Sequence, residues 1–167
     1  MALDPKSKER PRPRRPDSVV GIVVSRFHEE LTGAMKDSAV RELIACGVAE
    51  DDIHVVWVPG AFELPIAALH LSTVKDVEAI LCFGLVLKGE TEHDHWVAHG
   101  CVTGLMNVSL EEFKPVHLGV LTCSTLEQAR SRALPPELGG KEDKGREVAR
   151  AAIETLLALD EIGELSK

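Results

Sequence analysis

Apolar positions along this chain follow two periods that take turns. Residues 19–25 (VVGIVVS) are an unbroken, largely β-branched run, the pattern of a strand covered on both faces. From residue 32 to 46 the period is helical: Met35, Ala39, Leu43 and Cys46 recur at i, i+4, i+8 and i+11, and Gly47 offers a stop. The same exchange then repeats. Further strands are predicted over 53–58, 79–87 and 116–122; Pro59-Gly60 halts the first, and the second (AILCFGLVL) is apolar enough to be central. Helices are predicted over 64–72, where Pro65 is tolerated in the first turn, and over 95–110, 126–133 and 144–159. Strands joined through helices imply right-handed crossovers, hence an α/β fold: a three-layer α/β/α sandwich with a four-stranded parallel sheet. Ligands of such sheets bind beyond the carboxyl ends of the strands. Chemistry is therefore expected in residues 25–29, 59–64, 85–95 and 122–127.

Charge divides the chain in two. Residues 1–17 hold four prolines and six cations (Lys6, Lys8, Arg10, Arg12, Arg14, Arg15) against three acids, with almost no apolar bulk. Such a stretch cannot offset its ordering entropy, so a disordered or extended, solvated tail is expected there, in preference to a nucleic-acid-binding arm. Residues 18–167 read as one domain, with 13 Lys and Arg against 24 Asp and Glu. A body that acidic argues against nucleic acid as a partner, since phosphate neutralisation needs a basic surface. No apolar run approaches the roughly 20 residues of a membrane span. No apolar h-region follows the start, so no signal peptide is expected. Four cysteines (Cys46, Cys82, Cys101, Cys123) without a CxxC pair suit reduced, buried thiols in the cytoplasm.

Several segments could carry chemistry. Gly84–Thr91 has the spacing of a Walker A loop, but Glu90 stands where the lysine belongs, and a carboxylate there repels a nucleotide phosphate. His93, His95 and His99 suggest metal ligation, yet their segment crosses from loop into helix and all three are not expected to converge. Thr91 and Asp94 have capping-box spacing, which predicts a helix start here. The N–H groups of residues 89–91 then face outward at a positive helix terminus, a phosphate seat with His93 beside it as a proton carrier near neutral pH. In Val58–Pro65 (VPGAFELP), Phe62 and Glu63 stand at a strand's carboxyl end, and Ser25–His28 (SRFH) repeats the arrangement with Phe27. With only four Phe and two Trp in the chain, two Phe at neighbouring strand ends read as walls for a flat heterocycle, core packing being the competing account. In EQARSRA (127–133), a fixed arginine could clamp a phosphate.

Together, SRFH (25–28), VPGAFELP (58–65), GLVLKGETEHDHW (84–96), PVHLGVLT (115–122), EQARSRA (127–133) and DKG (143–145) resemble the 6,7-dimethyl-8-ribityllumazine synthases over about residues 18–160. The resemblance implies a flavodoxin-like sheet. It also implies condensation of 5-amino-6-(D-ribitylamino)uracil with 3,4-dihydroxy-2-butanone 4-phosphate, releasing phosphate and water without cofactor or metal. By similarity, Phe27 stacks on the pyrimidine; Ala61, Phe62 and Glu63 hold the ribityl chain; and Leu85, Val86 and Leu87 line the pyrimidine pocket. Glu90 and Thr91 bind the butanone phosphate, His93 transfers protons, and Arg132 clamps the phosphate from a neighbouring subunit of a homo-oligomer. Lys144 and Glu147 fall near that seat. Three departures stand out. The family usually has Asn at the position of His28 and Phe at that of Leu118, so one aromatic wall of the pyrimidine pocket is thinned, at about 0.5–1.5 kcal/mol of ring contact. The stretch between Arg132 and Lys144 is longer than in shell-forming members, which implies a free pentamer. The readings left beside this one are a riboflavin synthase on the same fold, an idle flavin-like heterocycle-binding shell protein, and a metal hydrolase built on the three histidines.

Overall fold

Four parallel strands in the order β2-β1-β3-β4 form the middle layer of the computed structural model, which describes residues 11–165. They are β1 (Val19–Ser25), β2 (Ile53–Val58), β3 (Val77–Leu87) and β4 (Val116–Cys123). Five helices cover them: α1 (Glu29–Ala45), α2 (Leu64–Ser72), α3 (His93–Glu111), α4 (Leu126–Ala133) and α5 (Lys144–Glu164). The fold is the α/β/α sandwich that the alternating pattern predicts, with the flavodoxin-like sheet that the resemblance implies. Strand alternation divides the core between two layers. Val20, Ile22 and Val24 of β1 and Leu81 and Phe83 of β3 meet α1, α4 and α5, while Val23, Ile80 and Cys82 meet α2 and α3. The buried run in β3 confirms its central place. Cys46, Cys82, Cys101 and Cys123 are all buried and unbridged.

Element bounds differ from the periodicity where local chemistry takes over. α1 begins three residues before the expected Thr32, because His28 adopts the left-handed conformation (φ 60°, ψ 45°) and its carbonyl accepts from the Leu31 and Thr32 amides at 2.9 and 3.1 Å. α3 starts at His93, two residues before the expected His95, with the Thr91 hydroxyl accepting from the His93 amide at 3.3 Å. Short 3-10 turns that hydrophobic patterning does not encode lie at Glu50–Asp52, Ala61–Glu63 and Pro136–Leu138.

The first ten residues of the expected tail lie outside the described residues, as do the last two of the chain. Residues 11–16 carry no helix or strand, but two of their arginines are engaged by the acidic body. The Arg15 guanidinium reaches both oxygens of Glu78 (2.7 and 2.9 Å) and of Asp160 (2.8 and 3.1 Å). Arg12 and Arg150 converge on the buried Glu42 at 3.0 and 2.7 Å. Burial alone would raise the Glu42 pKa, and the hydrogen bonds from these two guanidinium groups outweigh it, so the carboxyl titrates below its ordinary range. Another ionisable group, half-buried, has no such help. His117 of β4 lies on the same face as Leu121 and Cys123, its Nε2 is sealed from solvent with no hydrogen-bond partner, and burial pushes its pKa down to about 4.

Candidate active site

With this strand order the chain leaves β1 toward β2 on one side and β3 on the other, and a crevice opens at such a switch point. Three loops meet there. The Arg26 amide donates to the Val58 carbonyl (2.8 Å) and the Phe27 amide to that of Pro59 (3.1 Å), so the turn after β1 is stitched to the end of β2. From beneath, the buried Thr32 hydroxyl donates to the Ser25 carbonyl at 2.7 Å. The Ala61–Glu63 turn drops against the central strand because Gly84 leaves room: a Cβ there would come within 3.0 Å of Leu64 and 3.4 Å of Ala61. Gly100 does the same on α3, where an added Cβ would stand 2.9 Å from the Phe62 ring. Phe62 is therefore seated against a bare helix turn, and it remains 61% exposed.

The result is a cleft of about 770 Å³, within the range of small-molecule sites. Its walls include Phe27, Ala61, Phe62, Glu63, Leu85, Val86, Leu87, Thr91 and His93. Nine residues that the sequence reading assigned to one site thus face one cavity. Phe27 is 68% exposed, too open for a core residue, which disposes of the packing account for this ring. Glu90 sits on the exposed turn between Gly89 and Thr91, and its side chain is not part of the wall. Leu118 and Arg132 also lie outside. Leu118 is 48% exposed on the edge strand β4, and Arg132 donates to the Gln128 carbonyl of its own helix at 3.2 Å. Lys144 and Glu147 pair with each other at 2.7 Å at the start of α5. His95 and His99 stack on each other along α3 with ring centroids 6.1 Å apart, and among the described residues no three His, Cys, Asp or Glu side chains converge as metal ligands. The Walker-like glycines are separated by the last residues of β3, so no phosphate loop forms.

A second concavity of about 420 Å³, between α1, Trp57 and Leu138, gathers none of the predicted site residues. Two features of the main cleft had no place in the sequence reading. Trp96 of α3 forms part of its wall with an indole 60% exposed, set edge-on to the rings of His95 and His99. Asp94, expected as a capping acid and as a candidate partner of the histidines in a metal site, also lines it. Their signal was present in the helix start, since residues one and three positions beyond the cleft-facing His93 share its end of the helix.

Compared with known proteins, residues 17–160 match the family model for 6,7-dimethyl-8-ribityllumazine synthase. The chain is also 38% identical over 146 residues to a protein named 6,7-dimethyl-8-ribityllumazine synthase from Protochlamydia amoebophila (strain UWE25), covering 87% of this chain and 83% of that one. It belongs to the lumazine synthase family. Within a lumazine synthase frame, the His28 departure has a backbone cause. The position is left-handed, a conformation in which Asn, Asp and His are the enriched non-glycine residues, so His replaces the usual Asn without unusual strain. Its ring lies edge-on to Phe27 at 5.3 Å and helps line the cleft.

Proposed function

We propose that this protein condenses 5-amino-6-(D-ribitylamino)uracil with 3,4-dihydroxy-2-butanone 4-phosphate to 6,7-dimethyl-8-ribityllumazine, releasing phosphate and water. It acts as a transferase in the penultimate step of riboflavin biosynthesis. The observation that carries the reading is the cleft itself: two exposed phenylalanine rings and the Gly89–His93 segment open on one cavity. A planar pyrimidine stacks against Phe27, while the ribityl chain runs toward Ala61, Phe62 and Glu63. Leu85, Val86 and Leu87 present strand-end backbone groups to the pyrimidine edge. The butanone phosphate takes the N–H groups of residues 89–91 and the Thr91 hydroxyl, at the positive end of the 19-residue helix α3.

The chemistry needs little beyond orientation and proton transfer. The uracil's 5-amine attacks the ketone, and loss of water gives an imine. A proton leaves the adjacent carbon as the C–O bond to phosphate breaks, and the N–H groups at the phosphate stabilise the departing anion. After tautomerisation, the ribityl-bearing nitrogen attacks the new carbonyl and a second loss of water closes the ring. His93 takes up and returns the protons in this scheme. No step requires a cofactor.

Arg132 and Leu118 serve the cleft of an adjacent copy in a homo-oligomer. Val102, Met106 and Leu110 repeat along one exposed face of α3, with Phe113 beyond its end and Leu118 beside it on β4, more apolar surface than an isolated protomer ordinarily shows. A pentamer is the assembly that the length of the 134–143 connection implies through the family resemblance, and the four unbridged cysteines suit the cytoplasm; that connection folds back on α4, with the Lys141 and Glu142 amides on the Ser131 carbonyl at 2.8 and 3.0 Å.

Absorbance-detected lumazine formation from the two substrates, with native mass measured on the same sample, tests both parts. Product and a five-subunit mass are expected. Absence of product refutes the reaction, and a hollow 60-subunit particle refutes the pentamer. Replacing Arg132 with alanine should raise KM for the phosphorylated substrate roughly tenfold, the scale of one charge-assisted hydrogen bond, with KM for the uracil little changed. An unchanged KM removes Arg132 from the phosphate site.

A further inference from the structure

Asp94 stands where a bound anion would need to be. It is the second residue of α3, it lines the cleft beside Thr91 and His93, and its Oδ1 lies 3.3 Å from the Gly89 amide, which donates to it. The expected capping box is thereby redrawn. The Thr91 hydroxyl accepts from the His93 amide, but Asp94 reaches past Thr91 to an amide five residues back. One of the backbone donors assigned to the butanone phosphate is thus already held by a carboxylate of the chain itself. Charge compounds the effect. Glu90 and Glu92 flank the same turn, and Lys88 and His93 are the residues of that segment able to carry positive charge. A phosphate entering here loses a donor to Asp94 and meets its negative charge at short range.

We propose that Asp94 is an internal competitor for the anion at this end of the cleft, an affinity-determining residue that keeps phosphate binding weak until an incoming cation compensates it. The inference rests on the assignment of the Gly89–Thr91 segment to the phosphate of the substrate. The interfacial arginine thereby acquires a second role. Besides gripping the anion, a guanidinium arriving from a neighbouring copy offsets the Asp94 charge and lets the carboxylate yield the Gly89 N–H. Free phosphate, a product of the reaction, is then held less tightly than an open row of N–H groups would hold it. That favours release at each turnover.

Titration of the assembled, full-length protein with inorganic phosphate by isothermal calorimetry tests this directly. Asp94→Asn keeps an acceptor at the helix start and removes the charge, and Asp94→Ser does the same with a smaller side chain should the amide variant fail to assemble. Glu154→Gln, on the exposed face of α5, makes the same change in net charge away from the cleft. Phosphate is expected to bind the Asp94 variants at least about fivefold more tightly than wild type, with Glu154→Gln unchanged. Equal or weaker binding by the Asp94 variants overturns the proposal, as does an equal gain in Glu154→Gln. A wild type that forms lumazine while its phosphate affinity ignores Asp94 overturns this inference alone. An inactive wild type whose phosphate affinity still responds overturns the assigned reaction alone.

Discussion

Replacing His93 with alanine is expected to lower kcat by about 10²-fold while leaving KM for both substrates within about twofold. The imidazole opens on the cleft at the first turn of α3, in one wall with the rings assigned to the pyrimidine and next in sequence to the segment assigned to the phosphate. Imidazole is the side chain suited to both giving and taking a proton near neutrality, and of the two histidines in that wall, His28 and His93, it is His93 that stands at the helix start beside the segment assigned to the phosphate. The effect belongs at the low end of the range for general acid–base catalysis. Both substrates are reactive, and the cleft still aligns them when the imidazole is gone. Steady-state rates from lumazine absorbance check the prediction. A variant that keeps full turnover removes His93 from the proton path, and one that loses binding and turnover together gives it a structural role instead. Because the Thr91 hydroxyl bonds to the backbone amide of His93, not its ring, alanine preserves the helix start and the comparison is clean.

The second large effect concerns stability. Between pH 7 and pH 4 the wild-type protein should lose about 3 kcal/mol of folding stability that a His117→Leu variant does not lose. In the folded chain His117 is held neutral by burial down to a pKa of about 4, whereas the unfolded chain protonates near the ordinary histidine value of 6.5. Above 6.5 both states carry a neutral ring and the group is indifferent to pH. Below it the unfolded state binds the extra proton, so stability falls as the pH drops from 6.5 to about 4. Glu42 adds a loss of the same sign at lower pH, since its depressed pKa keeps it ionised in the folded state after the unfolded carboxyl has protonated. That loss is common to both proteins and cancels in the difference. Urea unfolding of wild type and variant at equal concentration, at pH 7 and pH 4, measures it. Parallel pH profiles would mean that the His117 ring gains a partner or solvent when the assembly forms.

Much of the site was legible in the chain alone because strand ends are legible. A β-branched run that stops at Ser25, or at Val58 before Pro59-Gly60, announces where backbone groups stop pairing, and the next residues are then candidates for a ligand. Phe27, Phe62 and His93 were found in this way, and all three face one cleft. What periodicity missed was conformational. Nothing in hydrophobic spacing marks His28 as left-handed, yet that single φ starts α1 early and turns the 25–28 loop toward β2. Trp96 was missed because an aromatic at helical spacing is usually core. Only the packing of α3 leaves this indole at the cleft. Leu118 and Arg132 were assigned through the resemblance to a site shared between copies, and a single protomer holds both away from its own cleft.

The tail shows the opposite limit. Its composition identified a segment without a core of its own, but not the destination of its charges. Arg12 and Arg15 find acids 30 and 63 residues away, and Asp160 lies 145 away from Arg15. Local composition is blind to such pairs. From the one-dimensional record alone came the class of fold, the central place of residues 79–87, the strand ends that border the cleft and the family of the chain, because each rests on short-range patterns that any solution of the fold must satisfy. Three matters waited for the assembled chain: which side chains share a cavity, which backbone donors are already taken, and which histidine nitrogen is sealed without a partner. Those depend on distances between residues far apart in the chain, and only the packing of sheet against helix sets them.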